Sequence, residues 1–273
     1  MAEGFSVLMS VYVKEKPEYL RLSLDSVLNQ TVLPSEIVMV KDGPLTEELE
    51  SVLDEYKRAY PDKMVIVPLE QNVGLGLALR VGVEKCSHEL IARMDTDDVC
   101  RSDRFELQLK EFEKDPYLDI CGSHIEEFEE TIDKIVAKRT VPLRHDDIAK
   151  YQRKRDGFNH VSVMFKRSAV LKAGNYQSCM LMEDTLLWAN MLISGAKGMN
   201  IDESLVYVRI GKDMYERRGG FAYFKKYKEG RKKVRKTGYI SFFDYHFSLW
   251  VQFAVALMPN KLRGWVFKKI LHR

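Results

Sequence analysis

Within its first hundred residues the chain has four short apolar runs separated by three amphipathic segments, and this limits the possible folds more than any other feature. Residues 5–11 (FSVLMSV), 37–40, 64–69 and 90–94 are rich in β-formers and read as buried strands. Between them, Pro17 opens a segment with Leu20, Leu24, Val27 and Leu28 at helical spacing. Thr46 is a candidate N-cap for a helix whose apolar face carries Leu49, Val52, Leu53, Tyr56 and Tyr60. A third helix spans 74–85 behind a glycine-containing turn. A β-α-β-α-β-α-β succession implies an α/β fold with a mainly parallel sheet flanked by helices. Ligands of such sheets collect beyond the carboxyl ends of the strands. Ser10, Tyr12, Asp42, Asn72 and the run Asp95-Thr96-Asp97-Asp98 all fall there.

The second half is less regular. Phe105, Leu109 and Phe112 mark a helix; 118–121, 125–128, 160–165 and 205–209 read as strands; 148–153 and 182–193 read as helices. Beyond them the chain is helical, basic and aromatic. The formal net charge of +3 conceals a split: residues 209–273 hold 17 basic and 4 acidic residues, a local excess of +13 on an otherwise acidic body. Phe221, Tyr223, Phe224 and Tyr227, then Phe242, Phe243, Phe247, Trp250 and Phe253, interleave with those charges, which suits the surface of an anionic bilayer. A helix pair packed on the body with a solvated basic face is the alternative. No nucleic-acid recognition module accompanies the basic patch. The longest apolar stretch, 242–258, is interrupted by Asp244, His246 and Gln252, so no membrane span is expected. No secretory leader is visible, and Cys86, Cys100, Cys121 and Cys179 lack C-x-x-C spacing. Buried free thiols in a reducing cytosol are expected, rather than a zinc site or disulfides.

Five groups of residues could carry chemistry. Asp95, Asp97 and Asp98 crowd three carboxylates into four positions, which repel unless a cation joins them; Mg²⁺ and Mn²⁺ suit such oxygen ligands. A solvated acidic turn capping the next helix is the alternative. Asp42, before Gly-Pro, is either a turn former or an acceptor for a base or ribose. Glu183-Asp184 opens a helix, where acids favourably meet the helix dipole, or else supplies a general base. His160 is a structural histidine or a substrate contact. Arg217 and Arg218 match diphosphate geometry or simply extend the basic tail. Gly74-Leu75-Gly76 lacks the third glycine of a dinucleotide fingerprint and argues against a dehydrogenase.

The ordered set SVLMSVYVKEKPEYLRLSLDSVLNQT, EIVMVKDGP, QNVGLGLALRVGVEKC, IARMDTDDVCRSDRFELQ, HVSVMFKRSAVLKAGNYQ, LMEDTLLWANML and LVYVRIGKDMYERRGG, covering roughly 5–225, resembles the family 2 inverting glycosyltransferases. The likeness is to bacterial enzymes building capsular polysaccharide, exopolysaccharide or lipopolysaccharide repeat units. The resemblance implies a GT-A (Rossmann-like) nucleotide-diphospho-sugar transferase fold. It divides the chain into a catalytic domain at 1–210, with a nucleotide-binding half at about 1–100 and an acceptor half at about 101–210, and a C-terminal helical extension at 211–273. It implies that Ser10, Tyr12, Asp42, Asn72, Arg80, Asp95, Thr96 and Asp97 bind the nucleotide sugar, a UDP-sugar. Asp97 would be the metal ligand for Mn²⁺ or Mg²⁺, with Asp95 and Asp98 as further candidates. Asp184 would be the catalytic base in hexosyl transfer, with Glu183 placing the base or acceptor. His160, Arg217 and Arg218 would lie on the acceptor or diphosphate side. The acceptor would be a glycan or a lipid-diphosphate-linked sugar, met by a cytoplasmic enzyme peripheral on the inner face of the plasma membrane. One departure is Gly174-Asn175, where many relatives carry two glycines.

Two rivals share some of these residues. Asp95-Thr96-Asp97-Asp98-Val99 also spells the D-x-D-x-V of haloacid-dehalogenase-like phosphatases, with Asp95 as nucleophile and Asp97 beside it; there the motif normally follows the first strand, whereas here three strand–helix units precede it. A non-catalytic, membrane-associated sugar-nucleotide-binding protein would need the nucleotide site and not Asp184.

Overall fold

The computed structural model describes residues 4–211 and 219–259. Its first half follows the alternation: β1 (Ser6–Val11), α1 (Pro17–Leu28), β2 (Glu36–Lys41), α2 (Glu47–Ala59), β3 (Met64–Pro68), α3 (Leu75–Lys85) and β4 (Leu90–Arg93). Next come β5 (Val99–Cys100), α4 (Arg104–Lys114), β6 (Leu118–Phe128), β7 (Ile135–Arg139), α5 (His145–Gln152), β8 (Met164–Lys166), α6 (Arg167–Lys172), α7 (Glu183–Ile193) and β9 (Lys197–Arg209). Two helices, α8 (Gly220–Lys236) and α9 (Phe242–Leu257), end the described chain.

The sheet order is β3-β2-β1-β4-β8-β6-β9-β5, with β7 added on β6. The strands β3, β2, β1 and β4 are mutually parallel, so their carboxyl ends share one edge. Strand β8 lies antiparallel between β4 and β6, while β6 and β9 run parallel to each other.

Strand alternation divides the core. Val7 and Met9 of β1 and Ile37 and Met39 of β2 pack with Leu20, Leu24, Leu49 and Val52 of α1 and α2 on one face. Leu8, Val38 and Val40 point the other way, against Ala78, Leu79 and Val83 of α3 and Leu187, Trp188 and Met191 of α7. Each such fully buried aliphatic side chain contributes about 1.5–3 kcal/mol. Helix α3 sits close on the sheet because residue 82 is glycine: a Cβ there would lie 2.2 Å from Leu8 Cδ1 and 3.0 Å from Val40 Cγ2. Gly82→Val is therefore expected to destabilise the fold by about 1–3 kcal/mol through overpacking, read as a lower denaturation midpoint. An unchanged midpoint would contradict the tight α3–sheet contact.

Local chemistry explains several boundaries. Thr46 caps α2 by accepting from the Leu49 N–H, and Glu47, Glu48 and Glu50 occupy the first turn, with Lys57 and Arg58 in the last. Asp244, which interrupts the apolar run in the tail, forms a capping box with Ser241 at the start of α9. All four cysteines are buried free thiols.

The structure departs from the sequence reading in the second half. Segments 118–121 and 125–128 form one strand, because the intervening polar Ser123 and His124 are buried and bonded: the Ser123 N–H donates to Ser162 Oγ, and His124 pairs with Asp202. The expected strand at 160–165 is a 3₁₀ turn, His160–Ser162, before the short β8. Strand β9 starts at Lys197, not 205; its polar first half has no apolar run, but it pairs in parallel with β6. Strand β5, two residues long, and β7, a half-exposed hairpin partner, carry too little apolar pattern to be read from sequence.

Candidate active site

Two loops at the carboxyl ends of the parallel strands and the N-terminus of α7 supply the site. After β2, Asp42 is almost wholly buried and its carboxylate accepts from Asn72 Nδ2 (3.0 Å), the Val73 N–H (2.7 Å) and the Gly74 N–H (3.1 Å). Asp42 and Asn72 are thus brought together, chiefly to build the turn that launches α3. Three of the carboxylate's roughly four acceptor positions are occupied, leaving about one for a ligand. Gly43, at φ +88°, packs against this turn; a Cβ there would lie 2.7 Å from the Asn72 nitrogen. Tyr12 is exposed beside β1, and the Ser10 carbonyl accepts from Thr96 Oγ1 at 3.4 Å.

After β4, Arg93 is buried and bidentate on Asp95: Nη1 donates to Oδ2 at 2.8 Å, and Nη2 to Oδ1. The Asp95 carbonyl accepts from Ser23 Oγ on α1, and Thr96 Oγ1 donates to Glu15 at 2.7 Å. Arg209, from the end of β9, fixes the far side of the loop. Its N–H donates to Asp98 Oδ1 at 2.8 Å and its Nε to the Asp97 carbonyl at 3.1 Å. The guanidinium lies over the rings of Tyr19 (3.9 Å) and Phe128 (4.5 Å).

Ligand atoms of Asp95, Asp97 and Asp98 lie within 4.8 Å of one another. Burial, then Asp95 and Glu15, push the Asp97 carboxyl up to about 7. Asp98 is raised well above the usual carboxylate range by burial and by Asp97 and Asp95. The three are not equivalent: Asp95 is already neutralised by Arg93, and Asp98 serves the loop by accepting from Arg209. Asp97 is the carboxylate whose crowding a cation would relieve. An all-oxygen set with one available carboxylate fits Mg²⁺ or Mn²⁺, which share their coordination with substrate phosphates.

The third component is the start of α7. A Cβ at Gly76 would lie 2.9 Å from Glu183 Cβ, so that glycine lets the first turns of α3 and α7 meet. Burial raises the Glu183 carboxyl, with Arg93 working against the rise and Asp95 adding to it. Asp184 accepts from the Thr185 N–H at 2.7 Å. Its carboxyl is pushed up to about 8 by burial, Asp156 and Glu183. Asp156 is held in turn by Thr185 Oγ1 (2.6 Å) and Gln152 Nε2 (3.3 Å). His160 lies behind this wall, bonded through Nε2 to Tyr176 Oη at 2.8 Å and edge-on to Trp188. Burial and Arg93 drive its pKa well below the usual value, so the ring is neutral.

Arg80 ties α3 to the loop before α7, donating to the Gly174 and Tyr176 carbonyls. Gly174 and Asn175 both take positive φ, +92° and +60°. Asn tolerates that region and here adds bonds a glycine lacks: Nδ2 donates to the Arg80 carbonyl, and Oδ1 accepts from the Tyr176 N–H. Arg217 and Arg218 lie outside the described residues. Sequence reasoning missed Arg93, Arg209 and Glu15. An arginine closing an apolar strand two residues before the first aspartate was the available signal for Arg93; Arg209 sits more than a hundred residues away and left none.

Residues 6–174 match the model of glycosyl transferase family 2. The chain is 38% identical over 270 residues to the UDP-Gal:alpha-D-GlcNAc-diphosphoundecaprenol beta-1,3-galactosyltransferase of Escherichia coli, covering 98% of this chain and 97% of that protein. It is 39% identical over 268 residues to the amylovoran biosynthesis glycosyltransferase AmsE of Erwinia amylovora, covering 97% and 98%. Among solved structures, residues 1–349 of Staphylococcus aureus TarS with UDP-GlcNAc superpose with a TM-score of 0.64 at 14% identity, covering 84% of this chain and 66% of that one. The mannosyltransferase PcManGT of Pyrobaculum calidifontis, with GDP-Man and Mn²⁺, gives 0.63 at 14% identity, covering 95% and 71%. These likenesses establish the GT-A fold.

Proposed function

Because the chain belongs to glycosyl transferase family 2, we propose that it moves a hexosyl group from a UDP-sugar, with inversion, to a hydroxyl of a lipid-diphosphate-linked acceptor in surface-polysaccharide synthesis. The observation that carries this reading is the approach of two separate, half-buried acidic centres, Asp95–Asp97 at the sheet edge and Glu183–Asp184 on α7, with Arg93 interacting with both.

The geometry supports a role for each group. The turn held by Asp42 and Asn72, with Ser10 and Tyr12 beside it, receives the nucleoside. Arg93 fixes Asp95 toward the sugar and diphosphate. Asp97, with Asp95 and Asp98 nearby, would hold Mn²⁺ or Mg²⁺, and such an ion supplies positive charge against the departing diphosphate. Asp184 accepts the proton of the acceptor hydroxyl as its oxygen bonds to the anomeric carbon. The bond from that carbon to the phosphate oxygen breaks, and the nucleoside diphosphate leaves with the electron pair. A base opposite the leaving group requires inversion and no covalent glycosyl-enzyme. The neutral His160 and Tyr176 back this wall and supply no charge of their own. Nothing in the arrangement favours the phosphatase reading: Asp95, the nucleophile it needs, is engaged by Arg93 through both oxygens.

Membrane association is supported by α9, where Phe243, Trp250 and Leu257 are 81%, 69% and 68% exposed, and by exposed lysines along α8. Among the described residues no helix is long and apolar enough to cross a membrane. The enzyme would therefore sit peripherally on the cytoplasmic face, each nearby Lys or Arg contributing about 1 kcal/mol.

A base must be unprotonated to act, so kcat/KM is expected to climb with pH along a limb approaching about 8, the value to which Asp184 is raised. Asp156→Asn removes a like charge and should move that limb to lower pH; a limb that stays in place would contradict the assignment. The reading as a whole is tested by thermal shift with UDP-, GDP- and other nucleotide sugars, with and without Mn²⁺. A shift needing both a UDP-sugar and the cation is expected, and no shift with any nucleotide sugar would overturn it.

A further inference from the structure

Helix α1 carries polar residues on the face it turns toward the metal loop. Tyr19, Ser23, Ser26 and, just past the helix, Gln30 recur at spacings of four, three and four, which places them along one side. Ser23 Oγ donates to the Asp95 carbonyl at 2.8 Å, and Ser26 Oγ accepts from the Cys100 N–H at 3.0 Å. Gln30 Nε2 donates to the Arg101 carbonyl at 2.8 Å. The Tyr19 ring lies under the Arg209 guanidinium, whose Nε holds the Asp97 carbonyl. The segment from Asp95 to Arg101 is thus laid out along α1 and shaped by it.

Glu15 stands at the head of this array. Its N–H donates to the Tyr12 carbonyl at 3.0 Å, closing the turn that follows β1 and carries Tyr12 on the nucleoside side. Its two carboxylate oxygens are divided. Oε1 accepts from the Lys16 N–H at 2.8 Å, at the start of α1, and Oε2 accepts from Thr96 Oγ1 at 2.7 Å. Thr96 is buried, and its hydroxyl has a single proton; the Ser10 carbonyl, at 3.4 Å, is the poorer of its two acceptors. Each bond that fixes residues 95–98 here has a side chain at one end, and the Thr96 bond to Glu15 is the one at the position between Asp95 and Asp97.

We propose that Glu15 is a positioning residue for the cation: through Thr96 it sets the direction of the Asp97 carboxylate and joins the Tyr12 turn to the metal loop as one piece. Thr96 shares a peptide unit with Asp97, so turning Thr96 turns the neighbour that would hold the ion. Mg²⁺ and Mn²⁺ sites with few protein ligands tolerate little misdirection. Groups that orient a metal ligand without touching the ion commonly change its affinity by about 10–100-fold. The assignment rests on the cation site that the proposed reaction places at Asp97.

The test measures Mn²⁺ affinity on the full chain, alone and with UDP, from the electron paramagnetic resonance signal of the free ion. Glu15→Ala is expected to weaken Mn²⁺ by about tenfold or more, while UDP without metal binds as to the wild type. Glu15→Gln separates the tie from the charge. Its amide oxygen can accept from the Lys16 N–H and its NH₂ can donate to Thr96 Oγ1, so Mn²⁺ affinity should stay close to the wild-type value. Thr96→Val should resemble Glu15→Ala, and the double variant should be no weaker than the weaker single one. Melting temperatures without metal should agree within about 4 °C, the scale of one lost hydrogen bond. Wild-type Mn²⁺ affinity in Glu15→Ala, a Gln variant as weak as the Ala variant, additive losses, or equal weakening of metal-free UDP would overturn the inference. Glu15-dependent Mn²⁺ binding in a protein that transfers from no nucleotide sugar would leave this tie standing and overturn the proposed reaction. Transfer with equal Mn²⁺ affinity in all variants would do the reverse.

Discussion

Asp184→Asn is expected to lower transfer by about 10³-fold, the range over which a positioned general base acts, while nucleotide-sugar binding survives. The acid's environment adds a second readout. Its carboxyl is raised to about 8 in the folded protein by burial, Asp156 and Glu183, against about 3.9 in an unfolded chain. The folded state therefore binds this proton more tightly than the unfolded state. The group costs stability increasingly as pH rises from the unfolded value to the folded one. Asparagine carries no such cost, so the variant should melt higher than the wild type at pH 8, and the gap should close toward pH 4. Loss of activity with a lower midpoint at pH 8 would instead indicate that Asp184 holds the fold.

The second large effect is expected at Asp97. Replacing it with Asn removes the carboxylate that lies outside both the Arg93–Asp95 pair and the bond from the Arg209 N–H to Asp98. Mn²⁺ should then no longer enhance the thermal shift given by a UDP-sugar, and transfer should fall by about 10²–10³-fold, as when a site loses a group that stabilises developing charge. Asp98→Asn provides the contrast. Its oxygen can still accept from the Arg209 N–H, and its carboxyl is raised well above the ordinary range, so a neutral isostere should cost far less than at Asp97. Equal losses at the two positions would show that the carboxylates act as one cluster and would remove the distinction drawn from Arg93 and Arg209.

The contrast between Asp97 and Asp98 shows what a sequence carries and what it withholds. The first half of the chain was legible because buried parallel strands announce themselves as apolar runs, and because polar residues just after such runs must lie at one edge of the sheet. Thr46, Pro17 and Gly74 marked helix starts for local reasons that tertiary contacts did not overrule. The same logic failed in the second half. Residues 197–204 pair with β6 through backbone bonds and carry few apolar side chains, so nothing local marked them. Ser123 and His124 look like a break between strands until Ser162 and Asp202 satisfy them.

The site was legible as a set of acids, but not as a division of labour among them. Arg93 decides which aspartate is neutralised, and Arg209 decides which is structural; both effects depend on distances that no spacing rule reveals. Gly76 illustrates the same limit. As part of a weak glycine motif it argued only against a dehydrogenase, yet in the fold it lets two helix N-termini meet and brings Glu183 beside α3.

The proposed reaction turns on Asp184 acting as a base opposite the leaving diphosphate. The most direct measurement is the anomeric configuration of the bond formed when the wild-type enzyme transfers from an α-linked nucleotide sugar, read from the proton coupling at the new anomeric centre. A β-linked product, with formation lost in Asp184→Asn, is predicted. An α-linked product, or a β-linked product formed at a near-normal rate by Asp184→Asn, would contradict it.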